Sequence, residues 1–137
     1  MNKKLFLAIV FLAGCDPFDT RLAIVNKSKE VIFYSISGND SISNSSPLYI
    51  RDNDTIWHQS SMVLPDSIVK LEMLGRNGWE NFIKEKCRDS KLRLFLFDKN
   101  LLLNKTWDNI YSQQNYTRKY VLTVEDLKLK NWKLVYK

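Results

Sequence analysis

Few side chains in this chain could do chemistry, and their spacing limits what they could do together. Its 137 residues hold one histidine, His58, and two cysteines, Cys15 and Cys87. A cysteine nucleophile needs a base within hydrogen-bond reach, and His58 is the sole imidazole that could serve Cys87. Cys87 stands eight residues after Trp79 on a helical repeat, which predicts a buried, inert thiol. Glu80 and Glu85 come nearest to a pair of glycosidase acids. Five positions apart on one helix they face different directions, and Glu80 is expected to cap that helix together with Asn77. One histidine and four glycines leave no material for a multi-histidine metal site or a glycine-rich phosphate loop. No catalytic residue, cofactor or metal ligand is assigned on this basis. Trp57 and His58, followed by Gln59, set an aromatic ring among polar groups and are read as a ligand surface. Trp79 and Trp107 sit at apolar helical spacing and are read as core.

The elements that must position these groups follow from hydrophobic periodicity. Hydrophobic residues make up 45% and charged residues 26% of the chain, which suits one globular domain and excludes a multi-domain enzyme. Arg21 to Val25 and Val31 to Ile36 are rich in β-branched and aromatic residues and flank a polar turn, so they predict a hairpin. Gly38 to Pro47 is the most polar stretch and is expected to be an exposed, mobile loop. Short extended pieces follow near Leu48 to Ile50 and Thr55 to His58, then a strand over Ile68 to Leu74. Trp79, Phe82, Ile83 and Cys87 mark one amphipathic helix, and Trp107, Ile110 and Tyr111 mark a second, starting near Thr106. Leu92 to Phe97 alternates Leu92, Leu94 and Leu96 with Arg93, Phe95 and Phe97; apolar on both faces toward its end, it predicts a central strand. Tyr120 to Leu122 and Trp132 to Tyr136 are strands, and Thr123 to Asp126 has the pattern of a capping box. The fold class expected is α+β: a predominantly antiparallel sheet, with a sandwich as one arrangement, and two short amphipathic helices in the second half.

The formal charge is +6. Its basic residues are dispersed among apolar ones, as on the solvent side of amphipathic elements, and no groove-reading motif is present, so a nucleic-acid partner is not expected.

The first fifteen residues carry the clearest signal. Lys3 and Lys4 precede an apolar run from Leu5 to Ala13, too short to span a bilayer but laid out as a secretory signal peptide. Leu12-Ala13-Gly14-Cys15 resembles the lipobox of bacterial lipoproteins at every position. The resemblance implies diacylglycerol in thioether linkage to Cys15, cleavage before it and acylation of the new amino group. The expected organisation is a signal peptide over 1–14, a lipidated tether over 15–20 and a β-rich domain over 21–137. With Cys15 acylated, Cys87 has no partner for an intramolecular disulfide.

A second resemblance lies at the other end. Arg118 to Leu127, followed by Asn131-Trp132-Lys133-Leu134-Val135-Tyr136, is similar to the closing signature of small lipoproteins of the Bacteroidetes type. There, a Tyr-x-Leu-Thr/Ser strand, an Asp-Leu turn and an Asn-Trp-x-Ile/Leu-x-Tyr strand end the domain. Those lipoproteins commonly place Pro after the last Tyr, where this chain has Lys137, and they supply no catalytic residue to carry over. In that lineage Asp40-Ser41-Ile42, Asp54-Thr55-Ile56 and Asp66-Ser67-Ile68 resemble O-glycosylation sites at Ser41, Thr55 and Ser67, although Asp followed by Ser or Thr is also ordinary turn chemistry. The expectation is a non-enzymatic binding or structural module of the cell envelope, held to the membrane through Cys15, in the outer membrane rather than the inner, with a protein or glycan partner. An immunity or inhibitor protein acting through the loop from Gly38 to Pro47, and a small envelope hydrolase, are the alternatives.

Overall fold

The computed structural model of the chain describes residues 18–51, 54–57 and 59–137, and the side chains of 18–47 and 59–137. The signal peptide, Cys15 and His58 lie outside the described residues. Strands β1 (Phe18–Asp19), β2 (Ala23–Asn26), β3 (Ile32–Ser37), β4 (Leu48–Arg51), β5 (Asp54–Trp57), β6 (Met62–Val63), β7 (Ser67–Lys70) and β8 (Met73–Leu74) come first. Helix α1 (Gly78–Glu85), strand β9 (Leu92–Asp98), helices α2 (Lys99–Asn104) and α3 (Trp107–Gln113), strand β10 (Arg118–Leu122), helix α4 (Val124–Leu129) and strand β11 (Lys133–Tyr136) complete the order. The class is α+β with mostly antiparallel sheets.

Two sheets share one core. The first runs β10-β9-β3-β6 and is antiparallel throughout, and the second runs β11-β2-β7. Leu92, Leu94 and Leu96 of β9 and Ile32 of β3 meet Ile24 of β2 and Leu134 of β11 in a single buried cluster, to which α1 adds Trp79 and Ile83 and α4 adds Leu127. The pleat sends alternate side chains to the other face of the first sheet. There Phe33, Phe95 and Phe97 pack with Ile42, Leu102 of α2 and Ile110 of α3. β9 is thus covered on both sides, as its sequence predicts.

Several local expectations resolve differently. β2 and β3 do not form a hairpin: they belong to different sheets, and the connection turns a corner held by buried Asn26. Its Nδ2 donates to the carbonyls of Glu30 (2.7 Å) and Val63 (3.1 Å), while its Oδ1 accepts from Ser28 N–H at 3.0 Å. Ile68 to Leu74 divides into β7 and β8, because Leu71 turns into the core and its N–H bonds Leu22 O at 2.8 Å. Phe18 and Asp19, which fall in the stretch 15–20 expected to be a tether, pair with Leu74 and Met73. β11 runs parallel to β2, an arrangement that no local pattern announces.

Capping explains where the helices start. Thr123 and Asp126 form the capping box read from sequence, and Thr106 caps α3 by accepting from Asn109 N–H at 3.3 Å. α2 is an additional helix, capped by Asp98, whose Oδ1 accepts from Leu101 N–H at 2.7 Å. Asn77 and Glu80 do not form the expected box at α1. The carboxylate there is remote in sequence: Asp19 Oδ2 accepts from Trp79 N–H at 3.2 Å, and Glu80 is drawn away into ion pairs.

The two helical tryptophans differ in depth. Trp79 is 1% exposed with Nε1 donating to Leu71 O at 3.3 Å, whereas Trp107 is half-buried against Phe97 with Nε1 donating to Asn44 O at 3.0 Å. Trp79→Ala should therefore cost about 3 to 5 kcal/mol and Trp107→Ala roughly half as much. Denaturant unfolding of both variants tests the ranking, and equal losses would contradict it.

Candidate functional site

The site is built around the outer half of β3. Tyr34 and Ile36 of this strand, Gln59 and Ser60 of the 3-10 turn Gln59–Ser61, the end of β7 with Leu71 and Glu72, and Trp79 line an open cleft of about 350 Å³. A smaller, serine-rich hollow of about 220 Å³ lies on the other side of Tyr34, between Ser35, Ser43, Ser45 and Ser61. Tyr34 and Ile36 line both, and the Tyr34 hydroxyl donates to Ser60 O at 2.6 Å. Burial pushes the Tyr34 phenol above its ordinary value, so it stays neutral and cannot act as a base.

The polar residues lining the cleft carry a phenol (Tyr34), an amide (Gln59), a hydroxyl (Ser60), an ammonium (Lys70) and a carboxylate (Glu72). Such a mixture has the chemistry to hydrogen-bond a polar ligand. Among the described residues, no three His, Cys, Asp or Glu side chains converge to hold a metal ion. Cys87 is buried beside Gly38, and burial pushes its thiol up, the opposite of nucleophile activation.

The sequence candidates are only partly brought together. Trp57 ends β5, and the turn from Gln59 that rims the cleft follows it along the chain, but the Trp57 side chain and His58 lie outside the described residues, as does the Thr55 side chain. Ser41 is exposed, between an Asp40 engaged in ion pairs and a buried Ile42. Ser67 donates to Leu64 O at 2.7 Å and closes a turn in which Asp66 has φ of 51°. That hydrogen bond is the turn chemistry expected of an Asp-Ser pair.

The residue that sequence reasoning missed is Arg93, whose side chain is 3% exposed. Its Nε and Nη2 donate to Asp40 at 3.0 and 3.2 Å, and Nη1 and Nη2 to Asp89 at 2.6 and 3.1 Å. Nη1 also reaches the carbonyls of Arg88 and Lys91. Lys119 joins Asp40 at 2.7 Å. The signal was present in the sequence, since an arginine in the otherwise apolar Leu92 to Phe97 must find an acidic partner. With Ile42 seated in the second core and its N–H donating to Gln114 Oε1 at 2.6 Å, the loop 38–47 is pinned rather than mobile.

No family model, curated protein or solved structure matches this chain.

Hydrogen bonds from Arg93 and Lys119 lower the Asp40 carboxyl from 3.8 to about 2, and Arg93 likewise holds Asp89 below its usual range. A carboxyl depressed in the folded state stabilises above its unfolded value and loses that contribution as pH falls through the folded one. The loop 38–47 should therefore loosen selectively between pH 3.8 and about 2, with amide exchange at Ile42 rising before that of β9. In Asp40→Asn this acid dependence should be largely gone.

Cys87 should react with a thiol reagent at least about tenfold more slowly in the native protein than after denaturation, and Cys87→Ala should fold normally. Fast native labelling would contradict its burial.

Proposed function

We propose that the chain is a lipid-anchored, non-enzymatic binding module of the bacterial cell envelope, in the outer rather than the inner membrane. The observation that carries this reading is the sequence Leu12-Ala13-Gly14-Cys15 after a charged start and a short apolar run. Each buried methylene contributes about 0.8 kcal/mol, so two or more acyl chains on Cys15 hold the polypeptide to a bilayer without a spanning helix. No helix of the described residues is long and apolar enough to cross a membrane.

The cleft beside Tyr34 supports the binding half of the reading. It offers donors, an acceptor and aromatic residues to a polar ligand, and a glycan or a peptide of the envelope fits that chemistry. Ser41, Thr55 and Ser67 are proposed as points of glycan attachment; among them Ser41 has the most open setting that the structure describes.

The anchor is tested by the intact mass of protein from the membrane fraction. The expected product begins at Cys15 and carries acyl mass, and Cys15→Ala should be unprocessed or released; a product that begins elsewhere, or lacks lipid, refutes the proposal. The cleft is tested by screening the detergent-solubilised acylated protein against cell-wall glycans and envelope peptides. Gln59→Ala with Glu72→Ala, both at exposed positions, should weaken any ligand about tenfold or more if it sits in this cleft.

A further inference from the structure

Among the described residues the two most exposed large apolar side chains, Leu129 and Leu74, and the less exposed Phe18 are linked to the end where the chain enters the domain. Phe18 is 44% exposed, Leu74 72% and Leu129 85%. Phe18 and Leu74 are direct partners in the β1–β8 ladder, so their backbones are adjacent. Leu129 closes α4, and a chain of contacts ties that helix to the same end. Arg21 Nη1 lies 3.2 Å from Glu80 Oε1, and Lys128 Nζ lies 3.6 Å from the same oxygen. The Arg21 guanidinium is 4.3 Å from the centroid of the Trp132 ring, and Ala23 N–H donates to Trp132 O at 2.8 Å. The exposed cations Arg76, Lys128 and Lys130 flank Leu74 and Leu129 in sequence, with one exposed carboxylate, Glu72, two residues before Leu74.

The reach of the chain decides what this end must meet. Three Cα–Cα steps separate Cys15 from Phe18, a span of at most about 11 Å. The headgroup region on each side of a bilayer is about 5 to 7 Å deep, so an acylated Cys15 holds Phe18 at or next to that layer. A protein end with apolar side chains among ammonium and guanidinium groups matches such an interface, with the apolar groups entering the acyl boundary and the cations meeting phosphate.

Resting on the anchoring proposed above, we infer that the end bearing Phe18, Leu74 and Leu129 lies against the anionic lipid surface that holds Cys15. The domain is thereby docked in a fixed orientation instead of swinging on a tether. Its occupant is the phospholipid headgroup layer, and the exposed Arg76 and Lys130 prefer anionic over neutral lipid.

Hydrogen exchange of the full acylated chain on phosphatidylglycerol vesicles tests this, with intact mass recorded on the same sample. Amides of residues 73–77 and 128–131 should exchange about tenfold more slowly in the native chain than in Leu74→Glu with Leu129→Glu, while β3 and β9 amides remain the same. Both substitutions are at exposed positions and leave the cores untouched. Acylated protein whose exchange does not differ between the two chains overturns the docking and leaves the anchor standing. Protection that is as strong on phosphatidylcholine vesicles overturns the preference for anionic lipid, and protection that depends on protein concentration assigns the patch to a second copy instead. A mass without acyl chains overturns the anchor and the docking with it.

Discussion

A guanidinium buried in a sheet must be answered on its N–H groups, and the way Arg93 is answered organises half of this domain. Leaving such a charge unpaired in the interior would cost several kcal/mol, enough to threaten a domain of this size. The pleat that sends Leu92, Leu94 and Leu96 into one core sends Arg93 outward with Phe95 and Phe97. Its partners must therefore come from the layer that covers those rings. Asp40 arrives from the loop after β3 and Asp89 from the turn after α1, and the carbonyls of Arg88 and Lys91 take what remains. The same pairing that neutralises the charge sets the loop in place, and the loop then delivers Ile42 to the second core.

A comparable arrangement operates at the opposite end of α1. Asp19 is 3% exposed, and burial alone would raise its carboxyl. Hydrogen bonds from the Arg21 side chain and from the N–H groups of Trp79 and Arg21 outweigh that and hold it below its usual range. One short strand thus caps a helix, anchors an arginine over Trp132 and joins β8, so the N-terminal residues of the domain are integral to it. In both places an acidic side chain from a polar, unremarked stretch fixes an element far away in sequence.

That remoteness explains what the sequence could and could not reveal. The double-sided burial of β9, the cap at Thr106 and the capping box at Thr123 depend on residues within a few positions of each other, so periodicity and spacing expose them. The split of β2 and β3 between sheets does not, because Asn26 in a polar turn looks like hairpin chemistry until its amide is seen bonding Val63 from another strand. Loop 38–47 misleads for a similar reason: its ten residues are mostly polar, yet they include one buried isoleucine and one ion-paired aspartate. Of the candidate site, Gln59 beside Trp57 was legible as a polar and aromatic neighbourhood. Tyr34 and the stretch from Val69 to Glu72 were not, since tertiary packing alone brings them to that turn.

The parallel pairing of β11 with β2 joins residues more than a hundred positions apart. The second sheet cannot be completed until Lys133–Tyr136 has been synthesised, and long-range pairing of this kind slows folding. By pairing Lys133–Tyr136 with Ala23–Asn26, this topology makes closure of the second sheet wait on every element that lies between them.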